Sequence, residues 1–169
     1  MLRVGKIVAT HGLQGAVVLQ QIIDDTGWLK KGDVLFIELR RESFIPYFVE
    51  TAKAANDTEY IITIDDVTNA EEAKKLVGKT AYVKEEVLEK AKVDSPLMYI
   101  GFNLVDKTRG GVGTIEDVLL MGKQWIARLT VDGKEVLVPL VEDMILDVNY
   151  KNKYLRMDLP EGLLDVYLG

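Results

Sequence analysis

Chemistry in this chain would have to begin at His11, its only histidine, set in Ala9-Thr10-His11-Gly12-Leu13-Gln14-Gly15-Ala16. A histidine can serve as a general base when a nucleophile or an orienting carboxylate stands beside it. No acidic residue precedes Asp24, so a turn histidine between two strands, flanked by glycines that permit unusual backbone angles, is the simpler reading. A third reading makes His11–Gly15 a recognition loop shown at the end of a barrel, since rigid scaffolds present binding loops there. Gly12-Leu13-Gln14-Gly15 also spells the GXXG of a KH-type RNA clamp. Strand-like runs flank it, however, and only Arg3 and Lys6 supply positive charge nearby.

Other motifs fall short of a site. Gly78-Lys79-Thr80 looks like the end of a phosphate-binding loop, but Ala73 stands where the motif needs its first glycine, and a helix precedes it where a strand should. Arg109-Gly110-Gly111-Val112-Gly113 is glycine-rich without a following Gly-Lys-Ser/Thr, and reads as a turn. The pairs Asp24-Asp25, Asp65-Asp66 and Glu142-Asp143 could hold Mg²⁺ or move protons if they converged in a pocket. Neighbours on a strand point to opposite faces, so each pair alone is a poor site and reads as loop solvation. No serine has histidine–acid company, and cysteine is absent, which removes thiolate zinc sites, cysteine nucleophiles and disulfides. The sequence presents no catalytic residues, no metal ligands and no cofactor site.

The elements that would position these residues are mostly strands. Trp125, Ala127, Leu129 and Val131 alternate with Ile126, Arg128 and Thr130, and Leu155-Arg156-Met157-Asp158-Leu159 alternates in the same way. That period of two marks strands with one buried face. Val34–Leu39 and Tyr60–Ile64 are short β-branched or aromatic runs. Asp132-Gly133 supplies the positive φ of a tight hairpin, and Met121-Gly122-Lys123 acts likewise, so 112–139 reads as a three-stranded meander. The Val136–Val141 run is read as barrel core leaving through Pro139 at a strand end or edge, which leaves an edge for a protein partner as the sharper reading. Helical signal is scarce. Ala70–Val77 has one apolar face, a Thr68/Glu71 capping pattern and Gly78 to end it. Glu85–Lys92 is a weaker candidate, and Pro160–Tyr167 has room for one turn.

Composition bounds the class. The chain has 169 residues, 48% hydrophobic and 28% charged, with Lys+Arg 21 against Asp+Glu 27 and a net charge of −6. Such a chain folds and does not coat nucleic acid, because its summed field repels phosphates; RNA contact would be local or made through a partner. No run approaches the roughly 18 apolar residues of a membrane span, and Met1-Leu2-Arg3-Val4-Gly5-Lys6 lacks the apolar core of a secretory signal. A soluble, cytoplasmic protein is expected, with Asn56-Asp57-Thr58 a turn and not a glycosylation site. The charged stretch Glu85–Lys92, followed by Asp94-Ser95-Pro96, suits a boundary. We therefore expect a mainly β protein of two small β-barrels in tandem with few short helices: 1–85, a linker 86–96, and 97–169. Closure into barrels would remove the exposed strand edges that invite aggregation.

Val4-Gly5-Lys6-Ile7-Val8 followed by His11-Gly12-Leu13-Gln14-Gly15 resembles the opening of the bacterial ribosome maturation factor family RimM. Asp65-Asp66-Val67, Ala70-Glu71-Glu72-Ala73 and Leu76-Val77-Gly78 look like the end of its first domain. Ile100-Gly101, Gly113-Thr114-Ile115, Glu135–Pro139 and Glu161–Asp165 resemble its second domain, a PRC-barrel. The ordered set spans nearly the whole chain. The resemblance implies a six-stranded barrel similar to the second domain of translation elongation factors, joined to the PRC-barrel. It implies a non-enzymatic assembly chaperone that needs no cofactor, binds the small ribosomal subunit head through the basic ribosomal protein S-nineteen, and promotes small-subunit rRNA processing. Asp94-Ser95 stand where many members carry an adjacent aromatic pair linked to subunit binding, and Tyr99 is the nearest aromatic. The expected partner-binding residues are His11, Gly12, Leu13, Gln14 and Gly15 in the first domain, and Tyr99, Arg109 and Pro139 in the second. A monomer is expected, with local rRNA contact as a further possibility. The rival readings are a PRC-barrel module with another, even membrane-associated, partner and an enzyme acting on a nucleotide or flavin.

Overall fold

The computed structural model describes residues 1–168 and divides the chain into two compact units, Met1–Ser95 and a second beginning at Pro96. The first is built on a closed six-stranded antiparallel barrel. Its strands are β1 (Leu2–His11), β2 (Ala16–Gln21), β3 (Val34–Arg40), β4 (Ser43–Ala54), β5 (Glu59–Ile64) and β6 (Thr80–Val83), in the order β1-β2-β5-β4-β3-β6. Alternate side chains fill it: Val4, Ile7, Val17, Leu19, Leu35, Ile37, Ile62, Ile64, Ala81 and Val83 are all buried. Closure turns on β1, which pairs with β2 on one side and β6 on the other and carries a bulge on each flank, between Ile7 and Ala9 and between Arg3 and Gly5. Bulges add local twist, which lets one strand serve two directions. At Gly5 a Cβ would stand 2.2 Å from the Gln20 carbonyl oxygen, so the crossing requires a residue with no side chain.

The long connection after β2 is anchored by Trp28. Its Nε1–H donates to Gln21 Oε1 at 2.6 Å, and its ring meets Tyr60 edge-on at 6.0 Å. Gln21 in turn donates to the carbonyls of Asp25 and Asp57. A buried amide thus ties three chain segments together with its polar atoms satisfied.

Helix α1 (Ala70–Lys74) is shorter than the expected Ala70–Val77, and its cap lies one residue later. Asn69, not Thr68, sits at the N-cap and accepts from the Glu72 N–H, while Glu72 reaches back to the Thr68 N–H. Asparagine is the better cap acceptor, and the chain then turns off through Gly78, whose N–H donates to the Ile7 carbonyl in the barrel wall. Of the segment 86–96, expected as a linker, residues 86–95 group with the first unit and Pro96 opens the second. The segment contains helix α2 (Glu85–Lys90) with Leu88 fully buried, and Val87 and Ala91 line a cleft with Trp28. Charge content pointed to a boundary because only one face of this short helix is charged.

The second unit opens with a 3-10 turn at Pro96–Tyr99 and contains β7 (Asn103–Asp106), β8 (Gly110–Met121), β9 (Gln124–Val131), β10 (Lys134–Pro139), β11 (Ile145–Asn149), β12 (Tyr154–Met157) and α3 (Leu163–Leu168). The strands form one sheet in the order β10-β9-β8-β7-β12-β11. The expected meander is β8-β9-β10, and its Asp132-Gly133 turn has φ of 51° and 76°. β8 serves both halves of the sheet, pairing with β7 up to Thr114 and with β9 from Ile115 onward, with a bulge between Ile115 and Asp117. β7 and β12 pair in parallel. Among the described residues no ladder joins the two end strands, β10 and β11. The seam follows from the chain at that point. Pro139 has no N–H to donate, the Leu140 N–H is taken by the Trp125 carbonyl, and a 3-10 turn at Glu142–Met144 separates the strands.

Candidate functional site

The β1–β2 turn joins a fixed base to a free tip. His11 pairs with Ala16 at the last rung of the ladder. His11, Gly12, Leu13 and Gln14 are exposed, and Leu13 is 83% exposed. Gly15 is buried at φ +95°, and a Cβ there would stand 2.3 Å from the Val67 carbonyl oxygen. The turn is therefore braced by the segment leading into α1, while an apolar side chain projects from it. Gly12 also has positive φ, +67°, but faces open space. His11 has no carboxylate at ion-pair distance among the described residues. The arrangement suits contact with another macromolecule better than proton transfer.

The three second-unit residues expected to bind do not form one surface patch. Tyr99 is buried, 8% exposed, with its ring 5.8 Å from Phe102. It is a core residue, because the 3-10 turn at 96–99 directs Leu97, Met98 and Tyr99 inward. Ser95 is buried as well, while Asp94 is exposed. Pro139 is half-buried at the exit of β10. Arg109 is accessible. Its guanidinium reaches Asp165 at 3.5 Å, and its N–H donates to Asp106 Oδ2 at 2.8 Å.

Asp106 organises that corner. Burial pushes its carboxyl up, but the backbone N–H groups of Arg109, Leu159, Thr108 and Lys107 outweigh burial and hold its pKa below the usual carboxylate range. One carboxylate thereby fastens the β7–β8 turn to the segment after β12. The adjoining cleft, about 460 Å³, is lined by Arg109, Asp158, Glu161 and Asp165 among others. Asp106 has its hydrogen bonds made within the chain, so its role is to hold the turn.

An accessible surface of another kind runs from Val141 to Tyr150. Val141, Leu146 and Tyr150 are exposed large apolar residues, at 36%, 45% and 55%. Glu142, Asp143 and Asp147 are exposed between them. Tyr150 is held by an edge-on contact with Phe102 at 5.8 Å, so the outward aromatic of this unit is Tyr150, in the turn after β11, and not Tyr99. The readable signal was an apolar residue, Leu146, placed among three acids on a strand whose other face is only half-buried. Among the described residues no group of His, Asp or Glu is placed to hold a metal ion, and no helix is long and apolar enough to cross a membrane.

The chain also matches known protein families in sequence. A family model described as the RimM N-terminal domain matches residues 2–88, and one described as the RimM PRC barrel domain matches residues 98–163. A ribosome maturation factor RimM from Christiangramia forsetii is 28% identical, with 98% of this chain and 95% of that protein covered. Another from Bacillus mycoides is 30% identical, covering 95% of this chain and 96% of that protein. A crystal structure of a Pseudomonas aeruginosa protein, described as a 16S ribosomal RNA processing protein RimM, covers 94% of this chain and 96% of that one at 18% identity and a TM-score of 0.46.

Proposed function

Since the chain belongs to the RimM family of ribosome maturation factors, we propose that it acts as a non-enzymatic assembly chaperone, binding the small-subunit head through ribosomal protein S-nineteen and promoting small-subunit rRNA processing. The observation that carries this reading is the Val141–Tyr150 surface, where exposed Leu146 and Tyr150 are set among Glu142, Asp143 and Asp147. Exposed apolar anchors with acidic neighbours suit a basic protein partner: the anchors supply affinity, and the acids, partly offset by Arg156 opposite Asp147 and by Lys151 and Lys153 after Tyr150, speed encounter. Leu13 at the braced β1–β2 turn provides a second anchor. Binding energy of this kind shifts a flexible assembly intermediate toward the productive arrangement, with no bond made or broken. Release follows when the mature subunit no longer presents the favourable surface. The protein would work in the cytoplasm, as a monomer.

The test is recovery of ribosomal particles on the immobilised full chain. Free small subunits should be enriched over whole ribosomes. Replacing Leu146 and Tyr150 together by Ser should lower recovery about tenfold or more, as loss of central anchors does. Recovery of no ribosomal material by the unaltered chain would overturn the proposal.

A further inference from the structure

The outside of a barrel facing water is normally polar, yet one sector of the first unit is aromatic. On β3, Leu35 and Ile37 point into the barrel, which turns Val34, Phe36 and Glu38 outward. Opposite them, Phe48 pairs with Val34, Pro46 with Phe36 and Phe44 with Glu38. On the other side of β3, Tyr82 pairs with Phe36. Four rings therefore adjoin on one outer face of β4, β3 and β6. Phe44 and Tyr82 pack edge-to-face at 4.9 Å, and Phe48 is 57% exposed.

Positive charge borders the rings. Lys84 Nζ lies 5.9 Å from the centre of the Phe36 ring. Beside it a cleft of about 400 Å³ is lined by Phe36, Lys84, Asp33 and Val87. A second cleft, about 160 Å³, shares Asp33 and Val87 and adds Trp28, Lys30, Lys31 and Lys90. All four lysines are exposed, and none takes part in an ion pair among the described residues. Four acids stand near them: Asp33 and Glu86 in the clefts, Glu38 opposite Phe44, and Asp65, whose Oδ1 accepts the Phe48 N–H at 2.7 Å; none of the four is within ion-pair distance of these lysines.

We propose that this face binds single-stranded RNA, with bases resting on the Phe36, Phe44, Phe48 and Tyr82 rings and phosphates running along Lys84, Lys31, Lys30 and Lys90. Every base has a π-face, so exposed rings accept bases without regard to sequence, and unpaired cations alongside neutralise the backbone. Protein partners also use aromatic patches, but four cations without carboxylate partners beside the rings favour a polyanion. With a net charge of −6, such binding would depend on a local cluster of cations. The inference rests on the proposed ribosomal role only for the source of the RNA.

Fluorescence anisotropy of a labelled oligouridylate of about ten nucleotides, titrated with the full chain, tests it. Phe48→Ala removes the most exposed ring and should weaken binding about tenfold with an unchanged salt slope. Lys31→Glu with Lys84→Glu should weaken it further, and should lower the slope between about 50 mM and about 200 mM salt by about 1.4. Both variants should keep the unaltered melting temperature, because these side chains lie outside the core. Absence of binding by the unaltered chain would overturn the proposal, and so would affinity indifferent to both variants. Equal competition by polyglutamate would overturn it too, by showing a site for any acidic chain. The same variants carried through the subunit recovery assay separate the two claims. Subunits recovered without oligonucleotide binding sink only the RNA face, whereas oligonucleotide binding without subunits sinks only the ribosomal role.

Discussion

Asp106 shows how much a single side chain can hold in a protein made of short strands. Its carboxylate is buried, yet it stays ionised because backbone donors from the β7–β8 turn and from Leu159 converge on it. With its pKa lowered on folding, it stabilises the native state fully above the ordinary carboxylate range, and that contribution fades as pH falls through the depressed folded value. Asp106→Asn keeps one acceptor oxygen but loses the charge and one of the two carboxylate oxygens. The variant should be less stable at neutral pH by about 2 kcal/mol, and denaturant midpoints of the two proteins should converge as pH is lowered. A constant gap from neutral to strongly acid pH would show that the carboxylate charge contributes nothing. The sequence offers little hint of this role, since an Asp before Lys-Thr-Arg-Gly reads as any polar turn. Its second partner, Leu159, is 53 residues away.

At the scale of elements, legibility followed burial. Val34–Arg40, Glu59–Ile64, Gln124–Val131 and Tyr154–Met157 were readable because alternate residues enter a core. β4 is the longest strand of its unit and was not readable. Of its twelve residues only Val49 is buried, and two of its three aromatics, Phe44 and Phe48, sit on the outer face while Tyr47 lies opposite buried Leu35, so much of its pattern runs against the rule that apolar means inside. The same inversion hid the aromatic sector as a candidate site. The β1–β2 turn was readable from its glycines, because positive φ and the close approach to Val67 both demand glycine. Tyr99 is turned inward by the 3-10 turn at 96–99, a direction that nearness in sequence to a family position does not give. The α1 cap is a smaller displacement with a clean test. Asn69→Ala should cost about 1 kcal/mol by removing the acceptor of the Glu72 N–H, whereas Thr68→Ala should stay within about 0.5 kcal/mol of the parent. Chemical denaturation of the two variants decides between the caps, and the reverse order would restore the Thr68/Glu71 box.

For the molecule as a whole, the question is where the first unit stops being able to fold. A boundary at residue 85 treats the charged stretch beyond it as connector, while the structure assigns that stretch to the barrel unit through Leu88, Val93 and the cleft that Val87 and Ala91 share with Trp28. Trp28 in turn anchors the connection after β2 through Gln21 and Tyr60, so removing α2 uncovers one side of a buried aromatic cluster. Losing a fully buried leucine alone costs about 2–5 kcal/mol, a large share of the stability of a domain this small. A fragment ending at Ser95 should therefore unfold cooperatively with near-native Trp28 fluorescence, and one ending at Glu85 should unfold at much lower denaturant with a red-shifted emission. Equal midpoints for the two fragments would return α2 to the status of a linker. They would also leave Lys90 and the smaller lysine cleft without the packed helix that positions them.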